Sequence, residues 1–289
     1  VRNFVQNPIS VTTLGGAQRR WEHNSDQDLA GNLNLRYDDV NIGAVNFDFS
    51  VGGIYRNKKR TNFFNQYEFR PFDESKPLGN QNNLIKGVDW NSYPEIKFMV
   101  YNPYGTLGNP LNYDASENIS AGYGQLKMNY KKFEIIAGLR IEHTNQGYDL
   151  KYAISGVENN GKQIYTDFLP SANIKYFLTN KTNLRASYFK SLNRPGFFEI
   201  VPYRILNEDY TEAGNPELKH TIAHNVDIRF EYFPKHSEQI LIGVFYKNIQ
   251  NPIELGMLHQ GQATFYTPTN FGDATNYGVE IDFIKYFYF

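Results

Sequence analysis

The chain has 289 residues and a formal net charge of −1, with 29 basic and 30 acidic side chains. That balance argues against a nucleic-acid-binding protein, which needs a broad basic face. The absence of cysteine excludes both a disulfide framework and a thiolate metal site. No run of about 18 apolar residues occurs, so no transmembrane helix is expected. Aromatic residues make up 16% of the chain, a composition that suits long β-strands.

Alternation of apolar and polar residues predicts β-strands from residue 29 onward. Segments 29–37, 45–55 and 133–143 each place their large apolar side chains on one face and polar ones on the other. A period of two is that of a strand with one apolar face. Weaker alternation runs through 120–130, 167–177, 183–190, 239–247 and 277–287. With the segment at 222–232, the pattern predicts about nine strands and no comparable helix.

The clearest strand lies at 222–232, where Ile222, His224, Val226, Ile228, Phe230 and Tyr232 alternate with small or polar residues. It is about twice the usual strand length and ends in aromatic residues. A tilted strand of roughly 9–11 residues crosses a bilayer, and aromatic side chains gather where it meets the headgroups. The segment therefore predicts a strand of a transmembrane β-barrel, with Val226 and Ile228 facing lipid.

The connections between the predicted strands alternate in length. Tight turns are expected at 38–41, 131–132, 179–181 and 234–237. Long polar loops are expected at 56–118, 145–166, 191–220 and 248–276, with some strand character near 95–101. Short turns at one end and long loops at the other are typical of a bacterial outer-membrane barrel. A soluble β-sandwich has no reason to place every long loop at one end.

Motifs of catalysis are absent, so an enzyme and a cofactor are not expected. His220 and His224 are four residues apart in a predicted strand, and a structural role is favoured over a metal site. The acidic residues Glu208, Asp209 and Glu212 offer oxygen ligands for calcium, but a solvated loop explains them more simply.

Charged residues on the polar faces of the strands are expected to point into a barrel lumen. In a wide barrel they would contact a plug, and in an open pore they would tune ion selectivity. The simplest expectation is that they are solvated or pair with one another. They are Arg140, Glu142, Arg185, Asp227, Arg229 and Glu231.

Several segments, in this order and spacing, resemble the barrel of TonB-dependent receptors of the Bacteroidota type. Upstream are Gly-Gly-Ile-Tyr-Arg-Asn-Lys at 52–58 and Gly-Leu-Arg-Ile-Glu-His-Thr at 138–144. The central matches are Phe-Leu-Pro-Ser at 168–171, Asn-Leu-Arg-Ala-Ser-Tyr at 183–188, Asn-Arg-Pro-Gly-Phe at 193–197 and Gly-Asn-Pro-Glu-Leu-Lys at 214–219. Downstream are Phe-Tyr-Lys-Asn at 245–248, Asn-Pro-Ile-Glu at 251–254 and Tyr-Gly-Val-Glu-Ile at 277–281.

The resemblance implies an all-β fold, an antiparallel transmembrane β-barrel of about 22 strands whose lumen holds a plug. It implies a place in the Gram-negative outer membrane and uptake of a scarce nutrient with energy relayed by TonB. Residues 1–289 would supply a single barrel region without the plug or a signal peptide, so we expect a fragment of a longer polypeptide. Implied partners are membrane lipid, the TonB complex through the plug, a surface lipoprotein, and a small-molecule or oligomeric nutrient.

Ligand recognition is expected in the long loops. A glycan would use aromatic platforms, for which the candidates are Phe197, Phe198, Tyr203, Tyr210, Phe265 and Tyr266. An anionic siderophore would favour basic groups, for which the candidates are Arg194, Arg204 and Lys219. Peptide and cobalamin uptake stay open. Two other classes remain as alternatives, namely a non-transporting β-rich surface binding protein and a small complete porin-like barrel.

Overall fold

The computed structural model describes residues 17–72, 97–101, 110–152, 158–206, 210–235, 237–260 and 263–287. These residues form β-strands and one short helix, α1 (Phe197–Ile200), which confirms the all-β prediction. No helix among them is long and apolar enough to cross a membrane. One compact unit comprises Asp26–Arg60, Asp114–Asp149 and Asn160–Phe289, and a second comprises Val1–Ser25, Thr61–Tyr113 and Leu150–Asn159.

The described residues form fourteen strands, numbered here in chain order. They are β1 (Ala17–Ile42), β2 (Val45–Phe72), β3 (Lys97–Tyr101), β4 (Tyr113–Tyr130), β5 (Phe133–Leu150), β6 (Asn160–Thr179), β7 (Thr182–Asn193), β8 (Arg204–Leu206), β9 (Thr211–Ala213), β10 (Thr221–Lys235), β11 (Glu238–Gln250), β12 (Ile253–Gln260), β13 (Ala263–Asn270) and β14 (Asp273–Ile284).

The larger sheet joins nine strands in the order β1-β2-β4-β5-β6-β7-β10-β11-β14, and β3 pairs additionally with β2. The neighbours β5 to β14 along this path are antiparallel, as in an up-and-down barrel wall. Each of the nine overlaps one of the predicted strands, and β14 ends at Ile284, before the predicted end at 287. The strand character expected near 95–101 is confirmed as β3, which pairs with residues Glu68–Phe72 of β2.

A continuous row of apolar side chains crosses six strands of this sheet. In register it runs through Ile135, Ile174, Ala186, Ile228, Val244 and Val279. Of these, Ile174, Ile228, Val244 and Val279 are among the exposed large hydrophobic residues. The neighbouring register row on the other face contains Glu134, Lys175, Arg185, Arg229, Gly243 and Glu280. One apolar and one charged face is the alternation of an outer-membrane barrel wall.

Two of the predicted turns are confirmed and the first is wrong. Turns lie at 131–132 and at 180–181 as expected, but β1 continues to Ile42 and turns at 43–44. Gly43 has a φ of 63° there, which glycine adopts without steric cost. The carboxylate of Asp48 accepts the backbone N–H of Asp39 at 3.1 Å, so Asp39 stays within the strand despite its φ of 62°.

The predicted long loop at 145–166 is wrong over most of its length. β5 continues to Leu150 and β6 begins at Asn160, paired in register up to Asp149 and Asn160. Several of the paired residues here are polar yet buried, so the strand shows no apolar alternation. Thr144 and Gln146, for example, are almost fully shielded from solvent.

The loop predicted at 56–118 is wrong at both ends, because β2 continues to Phe72 and β4 begins at Tyr113. The last two predicted loops, 191–220 and 248–276, form a second sheet, which was not predicted. Its order is β12-β13-β9-β8, with β12–β13 and β9–β8 antiparallel and β13–β9 parallel. Strands β8 and β9 lie in the segment 191–220, and β12 and β13 lie in the segment 248–276. We call this four-stranded sheet the loop sheet. It brings the two predicted ligand-binding loops together.

Candidate functional site

The loop sheet carries two perpendicular tyrosine rings beside a carboxylate. Tyr266 of β13 is in register with Glu212 of β9, so their side chains leave the same face of the sheet. The rings of Tyr210 and Tyr266 lie 5.4 Å apart between centroids, at 83° to each other. Tyr210, Glu212, Leu255 and Tyr266 line a cavity of about 440 Å³. We call these four residues the aromatic corner.

Two further predicted ligand residues lie on the opposite face of the loop sheet. Phe265 is in register with Thr211 and Arg204 with Ala213, one residue out of step with Tyr266 and Glu212. The Arg204 guanidinium stands 5.1 Å from the centre of the Phe265 ring, a cation–π distance. These two residues thus contact each other rather than the aromatic corner.

The aromatic residues around α1 are engaged in packing. Phe197 is 5% exposed and Tyr203 is 2% exposed, and the rings of Phe198 and Tyr203 lie 4.2 Å apart. The ammonium of Lys58 stands 5.5 Å from the centre of the Phe197 ring. Tyr203 also donates its hydroxyl to Glu212 at 3.0 Å, which links α1 to the aromatic corner. Their burial leaves Phe197 and Tyr203 little surface for a ligand.

Arg194 belongs to a buried ionic cluster on β5. The Glu142 carboxylate accepts the Nε–H of Arg140 at 2.7 Å and also pairs with the guanidinium of Arg194. Arg194 donates its Nε–H to Thr144 at 3.0 Å, and Gln146 donates to the carbonyl of Pro195 at 2.7 Å. Burial lowers the pKa of Arg194 from its usual value. These contacts hold Arg194 and Pro195, which lie just before α1, against β5 of the large sheet.

His220 makes a second contact with the large sheet; the sequence placed it in a strand with His224, but β10 begins only at Thr221. The His220 ring stacks on the Tyr165 ring at 3.9 Å and 10°, and its Nε2 lies 3.3 Å from Oδ1 of Asp167. Burial raises the pKa of Tyr165 well above its usual value. Tyr165 and Asp167 share a face because they are two residues apart in β6. Only the tertiary fold places the loop residue His220 beside them.

The charged residues of the strands pair with one another on the polar face. Arg185 lies 2.8 Å from Glu231, and Arg229 lies 3.8 Å from Glu280. Arg185, Asp227, Arg229 and Glu231 are among the residues lining a cavity of about 390 Å³. Arg185 and Glu231 thus pair with each other, and Arg229 pairs with Glu280. Their orientation toward a lumen stays a prediction.

The calcium hypothesis gains no support from the described part of the chain. Glu208 and Asp209 lie outside the described residues, and Glu212 accepts the hydrogen bond of Tyr203. Within the described ranges, no group of three or more His, Cys, Asp or Glu residues could hold a metal ion.

Comparison with known proteins identifies the class. Residues 79–287 match the outer membrane protein beta-barrel family. The match covers more than half of the chain, so the chain belongs to this family and its place is the cell outer membrane. No curated protein matches the sequence.

Solved structures with a similar fold include a transporter and two receptors. The copper transporter OprC has a TM-score of 0.57 at 16% identity, covering 90% of this chain and 35% of its own. The ferric-catecholate import receptor Fiu of E. coli K12 has a TM-score of 0.55 at 16% identity, covering 90% and 35%. The siderophore receptor PiuA of Acinetobacter baumannii has a TM-score of 0.55 at 13% identity, covering 90% and 36%.

These likenesses support the fold alone, that of a β-barrel wall. The chain spans about a third of the length of these three solved structures.

Proposed function

We propose that this chain forms part of the barrel wall of a TonB-dependent outer-membrane receptor that imports a scarce nutrient. Its apolar row would face lipid, its charged face would contact a plug, and TonB would relay energy through that plug. The fold shared with import receptors supports the proposal, as does membership of an outer-membrane barrel family. The Bacteroidota type is part of the proposal and rests on the sequence resemblance.

The observation that carries the proposal is the loop sheet. The segments 191–220 and 248–276 are far apart in the sequence, yet they pair through β13 and β9 and share a cavity. Segments that serve only to connect strands need no common sheet, whereas long ordered loops are usually functional. Nutrient recognition would therefore lie at the loop sheet.

Uptake in cells tests the proposal. A strain lacking the gene, a strain lacking TonB and their parent would be compared on ferric siderophores, haem, copper, cobalamin and oligosaccharides. We expect one class of nutrient to be lost in both mutant strains and restored by the gene only when TonB is present. Uptake that persists without TonB, or no difference on any nutrient, would contradict the proposal. If the strains do not differ on any nutrient but cells carrying the gene still bind a nutrient at their surface, a non-transporting binding protein would be favoured.

A further inference from the structure

The aromatic corner has the geometry of a site for a positively charged group. The face of an aromatic ring carries negative partial charge, so cations lie over ring faces. Because Tyr210 and Tyr266 are perpendicular, at 83°, they present ring surface on two sides of one cavity. Aromatic side chains on several sides of a cavity are the usual arrangement for binding quaternary ammonium groups.

The charge of the cavity favours a cation as well. Among the described residues that line it, Glu212 is the charged one. Its carboxylate is held by the hydroxyl of Tyr203, which is 2% exposed and donates at 3.0 Å. A carboxylate positioned by a buried donor keeps its orientation without a bound partner. Arg204 lies on the opposite face of the loop sheet, where its guanidinium stands over Phe265.

A sugar ring fits the corner less well. Stacking of a sugar needs one open aromatic platform with several polar groups around its rim. Here the two rings stand at 83° to each other and offer no common flat platform, and among the described lining residues the apolar one is Leu255, which is 66% exposed. An apolar wall beside a carboxylate suits an ammonium group that carries a hydrocarbon portion.

We propose that the aromatic corner binds an organic cation through its ammonium group. The charge would lie in the open angle formed by the faces of the two tyrosine rings, beside Glu212, and the hydrocarbon part would lie on Leu255. The further conclusion that such a cation is the imported nutrient rests on the proposed function. Binding of a cation at the aromatic corner does not depend on transport.

Binding of choline to the full-length protein tests the proposal. The protein would be held in a polyoxyethylene detergent, which has neither a charged nor a sugar headgroup, and contact would be followed by saturation-transfer NMR. The matched neutral ligand is 3,3-dimethylbutan-1-ol, which has the shape of choline without its charge. Butylamine would separate a primary alkylammonium from a quaternary one, and methyl glucoside would represent a sugar. We expect choline to bind at least about fivefold more tightly than the neutral alcohol.

Substitutions then locate the site. Tyr266→Leu and Glu212→Gln should each weaken choline binding by about fivefold or more, whereas Tyr266→Phe should keep it because the ring face is retained. The matched control is Phe265→Leu, one residue along β13 on the opposite face, which should leave binding unchanged. Resistance of each variant to thermal unfolding would show that it is folded.

Three results would overturn the inference. They are equal binding of choline and its neutral analogue, binding of methyl glucoside without binding of either cation, and absence of cation binding to the folded protein. The assay needs neither TonB nor an energy source. A protein that binds choline but takes up nothing would therefore contradict the proposed transport and leave this inference standing.

Discussion

At the scale of single residues, Glu142 has the largest predicted effect on stability. Its buried carboxylate pairs with the guanidinium groups of both Arg140 and Arg194. Glu142→Gln would leave two cations without their shared anion in a poorly solvated place. Removing one partner from a buried ion pair costs about 3–5 kcal/mol. We expect a loss near the lower end of that range, because Arg140 is partly exposed.

Urea unfolding in lipid vesicles would measure this loss. Glu134→Gln is the matched control, since Glu134 lies on the same strand and face but pairs with Lys127 where both side chains are about one-third exposed. The control should lose at most about 1 kcal/mol. Equal losses in the two variants would show that the Glu142 cluster has no special role in stability.

The acidic residues of β1 predict a dependence of stability on pH. Hydrogen bonds from Arg60 and Arg56 lower the pKa of Asp26 and Asp28, respectively, below the usual value of 3.8. The folded state therefore binds protons less readily than the unfolded state. The stabilisation is present above about pH 4 and is lost as the pH falls through the lowered pKa values.

Asp26→Asn together with Asp28→Asn should flatten this acid dependence. Unfolding midpoints at pH 6 and pH 3 would be compared between this double variant and the unchanged protein. The unchanged protein should lose more stability between the two pH values. Identical losses would mean that the two Arg–Asp pairs do not contribute.

At the scale of elements, the alternation of apolar residues located the nine strands of the large sheet but not their ends. Alternation marks only the part of a strand that has an apolar face. β2 continues through Arg56, Lys58 and Arg60, where its side chains pair with Asp26 and Asp28 of β1 instead of facing an apolar environment. Hydrophobic periodicity cannot detect such an extension.

The loop sheet escaped prediction for a different reason. β8 and β9 have three residues each, too few to show a period, and the pairing of β9 with β13 joins residues about fifty positions apart. The aromatic composition of both segments still identified Tyr210 and Tyr266 as candidate ligand residues. Composition could not separate them from Phe197 and Tyr203, whose burial depends on the tertiary fold.

Ile228 tests the orientation of β10. Its side chain is 47% exposed and lies in the middle of the apolar row. If that row faces lipid, Ile228→Arg should destabilise the protein by roughly 2–4 kcal/mol near mid-bilayer. The measurement is unfolding in vesicles, with Ile228→Ala as the control for lost packing. An arginine variant no less stable than the alanine variant would be incompatible with a lipid-facing row.

The β12–β13 hairpin should be separable from the large sheet. Its two ends meet at the base, where the Asn251 N–H donates to the carbonyl of Gly272 at 3.1 Å and the Phe271 N–H to that of Pro252 at 3.2 Å. Replacing 253–270 with two glycines should leave a heat-resistant protein, because β11 and β14 keep their own register. The same deletion should abolish choline binding, measured by saturation-transfer NMR. Loss of heat resistance would show that the hairpin is needed for folding.

At the scale of the whole molecule, the account depends on one face of the large sheet contacting lipid. The apolar row spans six strands in register, and the adjoining row on the other face is rich in charge. Family membership places the protein in the outer membrane. If the apolar row contacts lipid, the two faces of the sheet and the location of the protein in the outer membrane have one common explanation.

Cysteine labelling of adjacent residues tests that claim most directly. Single cysteines would replace both members of the pairs Ile228 and Arg229, Val244 and Phe245, and Val279 and Glu280, with the full-length protein in native outer membranes. A lipid-soluble reagent should label the first member of each pair and a water-soluble reagent should not. The account requires the same alternation on all three strands. It would be contradicted if the lipid-soluble reagent did not prefer the first member of every pair.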